Sequence, residues 1–515
     1  MAFLTAQLKI MASKFSLTAI QVLVIFVFWG QIQNYMMRSN INILIVAMVE
    51  EKVSKNGYEN LTCWDNRVSE VSDVKQSENN EPVESVKFDW GPFKQGQVLA
   101  AFSYGYVATQ LIGGRLSERI GFKKVYGGGL FLVGVLTFLL PVAAKIDAYA
   151  FMVVRILQGI LEGVSFPALH AMTARWIPPT SRNTFIAGTY FGTTFGTMIT
   201  FPMCGAIVAD YGWEAAFYVI GSITVVWFIF WCIFVFDNPD SHPRISLEEK
   251  NYITDALNEN VNTKEHIPVP WKSIMTSVPF IGLMLADFSN TWGKNTLFTN
   301  GPTYMKTVQG VDIKKNGLLS GLPFLLRYFG GIFLCKIADI VIEKKLLSLT
   351  NVRRIFNSIA LIPPAIALIM IGFASGGLEC DYSYVIAILC VGMFFNGAFS
   401  AGMFSSHLDL APNFAGTLMG ISNTFAGGVT GFVVPTVIGA IRELDDYDLF
   451  SRWKIIFVSA AFIYLFGNTC YMVMISGEVQ AWNFGPQGQD GNVKKETNDE
   501  GDRKQLEEEE KGLIA

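Results

Sequence analysis

The sequence predicts an all-α membrane protein of twelve spanning helices, arranged as two repeated six-helix halves. Three observations carry that expectation: an apolar composition, a succession of apolar runs each long enough to cross a bilayer, and a pattern that returns after six of them. Of the 515 residues, 51% are hydrophobic, 16% are charged and 41 are Phe. The mean hydropathy is +0.37. A soluble domain carries about 25% charged residues, so this chain has too little polar surface to be one. A segment of about 20 apolar residues spans the hydrocarbon core as a helix.

Runs of that kind fall at 20–49, 93–114, 123–144, 148–171, 183–208, 214–236, 276–306, 316–341, 355–373, 383–406, 413–441 and 453–475. An even number of spans places both termini on one side. Lys9 and Lys14 precede the first run and no small-residue cleavage site follows it, so the first span is expected to serve as an uncleaved signal anchor. The loop 50–92 carries the sequon at Asn60, which marks this loop as outer if it is glycosylated. Arg115, Arg119, Lys123, Lys124, Arg175, Arg182, Lys344, Lys345, Arg353 and Arg354 crowd the opposite connections, which puts the termini in the cytosol.

The repeat defines the organisation. Gly114-Arg-Leu-Ser-Glu118 following the second span is answered by Cys335-Lys-Ile-Ala-Asp339 closing the eighth. Gly188, Gly192 and Gly196 in the fifth span are answered by Gly416, Gly420, Gly427 and Gly431 in the eleventh. Glycines four apart share a helix face and let backbones approach closely. The expected layout is a cytosolic N-terminus 1–19, a six-helix half 20–236, a polar central cytosolic loop 237–272, a second half 273–476 and an acidic, disordered cytosolic tail 477–515. Repeats with a site between them near the bilayer midplane are how secondary transporters are built.

Six ionisable residues sit well inside the spans, away from their ends: Arg38 in the first, Arg155 and Glu162 in the fourth, Asp287 and Lys294 in the seventh, and Arg327 in the eighth. Each costs on the order of 3 kcal/mol at bilayer depth unless it faces protein or water. The cations outnumber the anions by two, so a cavity shared by these residues favours an anion. Arg155 and Glu162 are seven apart and share one helix face, about 10 Å from each other. Burial and a neighbouring arginine act on the Glu162 proton in opposite senses, which makes it the natural switch residue. His170, eight residues on, could relay protons. Asp287 and Lys294, also seven apart, could instead neutralise each other, and His407 with Asp409 reads first as a turn and helix-cap cluster. No cofactor motif, metal spacing, catalytic triad or phosphate loop is evident, and nothing points to nucleic acid. An enzyme or a seven-span receptor is the poorer reading.

Several stretches carry a resemblance: Arg38-Ser-Asn-Ile-Asn-Ile-Leu-Ile-Val-Ala-Met-Val49, Phe102-Ser-Tyr-Gly-Tyr-Val-Ala-Thr-Gln110, Arg155 to His170, His242-Pro-Arg-Ile-Ser, Pro302-Thr-Tyr-Met-Lys306, Asn316 to Pro323, His407-Leu-Asp-Leu-Ala-Pro412 and Gly477-Glu-Val-Gln-Ala-Trp482. In these the chain resembles the anion:cation symporter family of the major facilitator superfamily, which includes sialin, the vesicular glutamate transporters and the type I sodium-phosphate cotransporters. The nearest likeness is to the insect inorganic phosphate cotransporters. The resemblance implies alternating access around a central anion site. Arg38 and Arg155 match the family's substrate-anion arginines, Glu162 its proton-sensing glutamate, and His170 a histidine on the same helix.

The chain also departs from its relatives. Leu99 and Asn290 stand where the glutamate-transporting branch has His and Arg, and Gln158 where the sialic-acid branch has an extra Glu. Asp287 and Lys294 replace neutral or aromatic residues, and Cys335 replaces a glycine. Together these readings imply a symporter of an organic or inorganic anion coupled to Na⁺ or H⁺, with phosphate the first candidate. The alternative is proton-coupled, sialin-like export of acidic sugars or amino acids. Arg38, Arg155, Lys294, Asn290 and Tyr106 are the expected substrate ligands, and Glu162 with His170 the coupling pair. The expected partners are a small anion and the lipid of a plasma, endolysosomal or vesicle membrane. Cys63 and Cys380 both fall in outer loops under this topology, which makes a disulfide between them an expectation.

Overall fold

The computed structural model describes residues 18–50, 63, 86–177, 182–261, 269–374 and 380–484. Asn60 therefore lies outside the described residues. The twelve spans are Ala19–Met48, Pro92–Ile120, Lys123–Ile146, Ala148–Glu162 continued by Ser165–Trp176, Arg182–Tyr211, Trp213–Phe234, Val278–Thr307, Ile313–Glu343, Leu349–Gly372, Tyr382–Leu410, Ala415–Arg442 and Leu449–Met474. Nine of these, among the described residues, are long and apolar enough to cross a membrane by length and composition. The other three, the second, seventh and eighth, are 29, 30 and 31 residues long but carry the polar side chains described below.

Both halves use the same device to cross two helices closely. In the first, a Cβ at Gly105 would strike the Ile156 carbonyl and one at Gly159 the Phe102 carbonyl, so the second and fourth spans meet backbone to backbone. In the second, a Cβ at Gly330 would strike the Phe394 carbonyl, and one at Gly397 would stand 2.6 Å from the Arg327 carbonyl oxygen. Each fourth-position span is broken after its first 15 residues. Pro167 explains the first break, because it has no N–H for the Gly163 carbonyl four residues earlier and its ring crowds that group. In the tenth span a 3₁₀ turn at Gly397–Ser400 and an irregular Gly402 make the equivalent interruption.

The end of the molecule that carries the described terminal and central segments is called the base here, and the opposite end the top. At the top the halves are closed on each other. Gly439 packs on the Pro92 carbonyl and Gly205 on the Ile313 carbonyl, each with 2.8 Å from the Cβ position. Cys63 is disulfide-bonded to Cys380, 317 residues on, and its N–H donates to the Val308 carbonyl. Further along the seam of Gly439, Asn423 and Thr424 both donate to Gln110 Oε1.

The base holds two corrections to the expected layout. The central stretch contains a helix, Leu247–Val261, whose Glu249 turns back so that its two carboxylate oxygens accept from the Ala19 and Ile20 N–H groups, each at 3.0 Å. The first-turn amides of a helix lack backbone partners and favour an anion, which is why a carboxylate settles there. The tail begins later than 477. Gln480 N donates to the Leu410 carbonyl at 2.8 Å, Asn413 N to Asn483 Oδ1 at 3.0 Å, and Trp482 is buried beside Phe414. Burying one tryptophan removes on the order of 200 Å² from water, enough to hold a short segment down before the acidic run begins.

Candidate functional site

Of the six ionisable residues named above, Arg38 and Arg155 border the space where the halves meet. Between the halves lies a cavity of about 300 Å³, counting its open side, lined by Arg38 and Asn42 of the first span, Leu99, Phe102 and Ser103 of the second, Arg155 of the fourth, Asn295, Phe298 and Thr299 of the seventh, and Gly431 of the eleventh. A larger cleft of about 450 Å³ within the second half is lined by uncharged residues, Leu297, Tyr304, Phe324 and Trp453 among them, and carries no ionic chemistry.

Arg38 lies over aromatic rings, with its guanidinium carbon 4.9 Å from the Tyr106 centroid, 5.3 Å from Phe102 and 5.6 Å from Tyr35. Cation–π contact holds the guanidinium against the rings, and Tyr106 also engages it by a side-chain hydrogen bond. Tyr106 is thereby a backing for Arg38, and it is buried. Arg155 is also fully buried, and more of its donors are committed. Nη1 donates to the Met37 carbonyl and to Gln158 Oε1, each at 3.0 Å, and Nη2 to the Arg38 carbonyl at 3.3 Å. Arg155 therefore pins the first span to the fourth at the level of Arg38. Its Nε is buried with no partner.

Glu162 ends the first segment of the fourth span and is 0% exposed. Neither carboxylate oxygen has a hydrogen-bond partner, and no ion pair joins it to a cation among the described residues. Arg38 and Arg155 are the cations whose field reaches it. His170 lies on the continuing helix, Ser165–Trp176, but its side chain is outside the described residues.

The second half contributes differently. Arg327 sits midway along the eighth span, with Nε donating to Asn396 Oδ1 at 2.8 Å and its guanidinium 4.4 Å from the Phe399 ring. Asn396 Nδ2 in turn donates to Asn290 Oδ1 at 2.9 Å and to the Ala360 carbonyl at 3.0 Å. Asn290 is thus turned inward, onto Asn396. Lys294 is half-buried, with Arg327, Arg38 and Asp287 as its charged neighbours. No Asp287–Lys294 ion pair forms among the described residues. Asp287 instead accepts from Ser422 Oγ at 2.6 Å and from Thr291 Oγ1 at 3.5 Å. His407 and Asp409 are not a turn or cap pair, since both lie in the helix Met403–Leu410. His407 is buried there, and Asp409 pairs with Arg353 at 2.6 Å.

Three groups of functional candidates were not singled out from the sequence. Asn295 and Thr299, four apart in the seventh span, line the cavity. Asn396 organises the second half, and its signal was available: Asn396-Gly397 stands 15 residues into its span, as Glu162-Gly163 does. Gln31 and Asn34 lie on the Arg38 face of the first span at helical spacing.

Two six-helix halves packed closely at one end, with a cavity lined by two arginines between them, are the architecture of a membrane transporter that works by alternating access. Comparison with known proteins narrows this. Residues 27–435 match the model for the Major Facilitator Superfamily. The chain is 38% identical over 463 residues to a Drosophila ananassae protein named "Putative inorganic phosphate cotransporter", covering 88% of this chain and 92% of that one. It is 36% identical over 466 residues to human sialin, covering 89% and 90%. Among solved structures, a bacterial homologue of the human lysosomal transporter Spinster, inward-facing and occupied, aligns with a TM-score of 0.61 at 10% identity, over 89% of this chain and 97% of that one. The chain belongs to the major facilitator superfamily and, within it, to the anion:cation symporter family.

Proposed function

We propose that the protein is a symporter that carries a small oxyanion, phosphate first among the candidates, together with a cation, H⁺ or Na⁺, held at Glu162. The observation that carries this is the unequal charge at the centre. Arg38 and Arg155 line the cavity and Lys294 has Arg38 and Arg327 as charged neighbours, while the buried Glu162 carboxylate has no hydrogen-bond partner among the described residues. The guanidinium fork of Arg38, backed by three rings, is shaped for paired oxygens of a phosphate or carboxylate. Lys294 adds charge from the opposite half, so an anion bridging Arg38 and Lys294 draws the halves together. Glu162 then takes or releases its cation as the opening changes sides.

Uptake by the purified protein in liposomes tests this, with labelled phosphate, glutamate, sialic acid and urate scanned under separate Na⁺, pH and voltage gradients. Phosphate accumulating against its gradient is the expected result. Accumulation of an acidic sugar with the pH gradient alone would move the reading to proton-coupled export of the sialin kind, and no gradient-driven accumulation of any anion would overturn it.

A further inference from the structure

The second half carries two neighbouring cations with no acid to balance them. Lys294 of the seventh span and Arg327 of the eighth are both half-buried, and neither forms an ion pair among the described residues. Arg327 commits Nε to Asn396 and lays its guanidinium on the Phe399 ring, and its two terminal amino groups make no further bond among the described residues. Asp287 is the acid whose field reaches Lys294. It lies seven residues away, about 10 Å along the helix, and is already committed to Ser422 and Thr291.

Printed contacts bring the two cations to one place. Asn396 links Arg327 to Asn290, and Lys294 stands one turn, about 6 Å, beyond Asn290 on the same face of the seventh span. Arg327 is foremost among the charges that act on Lys294. A buried donor adjoins them. A Cβ at Gly293, next to Lys294, would stand 2.5 Å from the hydroxyl of Tyr464 in the twelfth span. That hydroxyl is 0% exposed and has no hydrogen-bond partner, and Arg327 is its charged neighbour. Tyr35 of the first span, whose ring is 5.6 Å from the Arg38 guanidinium, is also a neighbour of Arg327. Tyr35 is thus common to two positive poles, one in each half.

Like charges repel strongly where water is scarce, and a buried hydroxyl with no acceptor is a further unmet demand. All three groups lack the same thing, an anionic acceptor. We propose that Lys294, Arg327 and the Tyr464 hydroxyl form a second anion subsite, paired with the Arg38 pole of the first half, so that the carried anion is a dianion. A monoanion at Arg38 leaves the second-half pair uncompensated, whereas two negative charges satisfy both halves and favour their closing on the substrate. A doubly charged tetrahedral oxyanion and a dicarboxylate share that chemistry. The subsite rests on the anion-carrying role proposed above and narrows its substrate by charge.

Isothermal titration calorimetry of the purified full-length protein at pH 7.5 tests this with two matched pairs, sulfate against methanesulfonate and succinate against succinamate. In each pair the second member keeps the general shape and loses one charge. At least one dianion should bind about tenfold tighter than its partner, or about 1.4 kcal/mol, and the pair with the larger ratio tells whether the charges sit on one centre or at two ends. Lys294→Gln and Arg327→Gln should each cut that ratio to about threefold or less. Tyr464→Phe should lower it by a smaller factor. Lys294→Arg, which keeps the charge, should retain the ratio and guards against a variant that merely misfolds. Ratios near one for both pairs in the wild type, or a ratio unmoved by Lys294→Gln and Arg327→Gln, overturn the subsite. Arg38→Gln is measured alongside and should weaken dianions and monoanions together. If monoanions bind as tightly as dianions and need Arg38, the subsite falls and the anion-carrying reading stands. If no anion of either charge binds, both fall.

Discussion

Glu162-Gly163 and Asn396-Gly397 occupy the same place in the two halves. Each ends a 15-residue helix, each is followed by a glycine pressed against a neighbouring span, and each borders an arginine-bearing region. Their environments are opposite. The Asn396 amide is bonded to Arg327, Asn290 and the Ala360 carbonyl, whereas the Glu162 carboxylate is bonded to nothing. One frame therefore carries a fully bonded polar hub in the second half and an unbonded carboxylate in the first. Duplicated architecture does not entail duplicated chemistry, and the proposed mechanism assigns the moving ion to the unsatisfied copy.

The comparison can be broken from either side. Arg155→Ala should have the largest effect, a loss of uptake of 100-fold or more, because it removes a cavity cation and the pin between the first and fourth spans. Breaking a buried charge network costs about 3–5 kcal/mol, so Arg155→Lys is the companion variant, with surface expression checking that the protein still reaches its membrane. Glu162→Gln should leave anion exchange down a gradient but remove its dependence on the cation gradient by tenfold or more. A wild-type gradient dependence in liposomes would place the exchangeable charge elsewhere. Asn396→Asp imposes the chemistry of the first half on the second. Its carboxylate should pair with Arg327 and lower anion affinity about tenfold while leaving coupling intact, as transport kinetics would show. Asn396→Ala should instead cost about 2–4 kcal/mol of stability, read as a lowered unfolding midpoint in detergent.

The smallest effect lies at the base, where the halves also differ. The first half is sealed by His242 against Trp176 and Phe236, the second by Trp482 against Phe414. Partial burial holds the His242 imidazole below its ordinary value, with Glu249 opposing and Arg244 assisting. The fold thus favours the neutral ring. Its contribution is complete above the unfolded value of about 6.5 and is lost as pH falls through the folded one. Thermal melts at pH 5 and 7.5 should therefore show an acid sensitivity that His242→Gln reduces and Trp482→Phe does not.

The fold was legible because spanning helices announce themselves by length, and the second half repeats the glycines of the first. The charged half of the site was legible for the opposite reason, since Arg38, Arg155 and Glu162 are conspicuous in apolar runs. What escaped was the uncharged polar chemistry. Asn34, Gln31, Asn295 and Asn396 cost less in an apolar helix than a charge and so attract less notice, although their spacing marks them. The Glu249 cap and the Trp482 anchor also escaped, because both depend on contacts between segments far apart in the chain. The inward turn of Asn290 is a case of the same kind, set by Asn396 more than 100 residues away.

The Cys63–Cys380 bond ties the two halves of the polypeptide together in time as well as in space. Cys63 leaves the ribosome 317 residues before the thiol it must find. Eight complete spans, the second to the ninth, are made while Cys63 awaits the thiol it will bond. The connection cannot close until the ninth span has been inserted with its far end on the side where the first span ends, so the covalent link requires that arrangement of the second half.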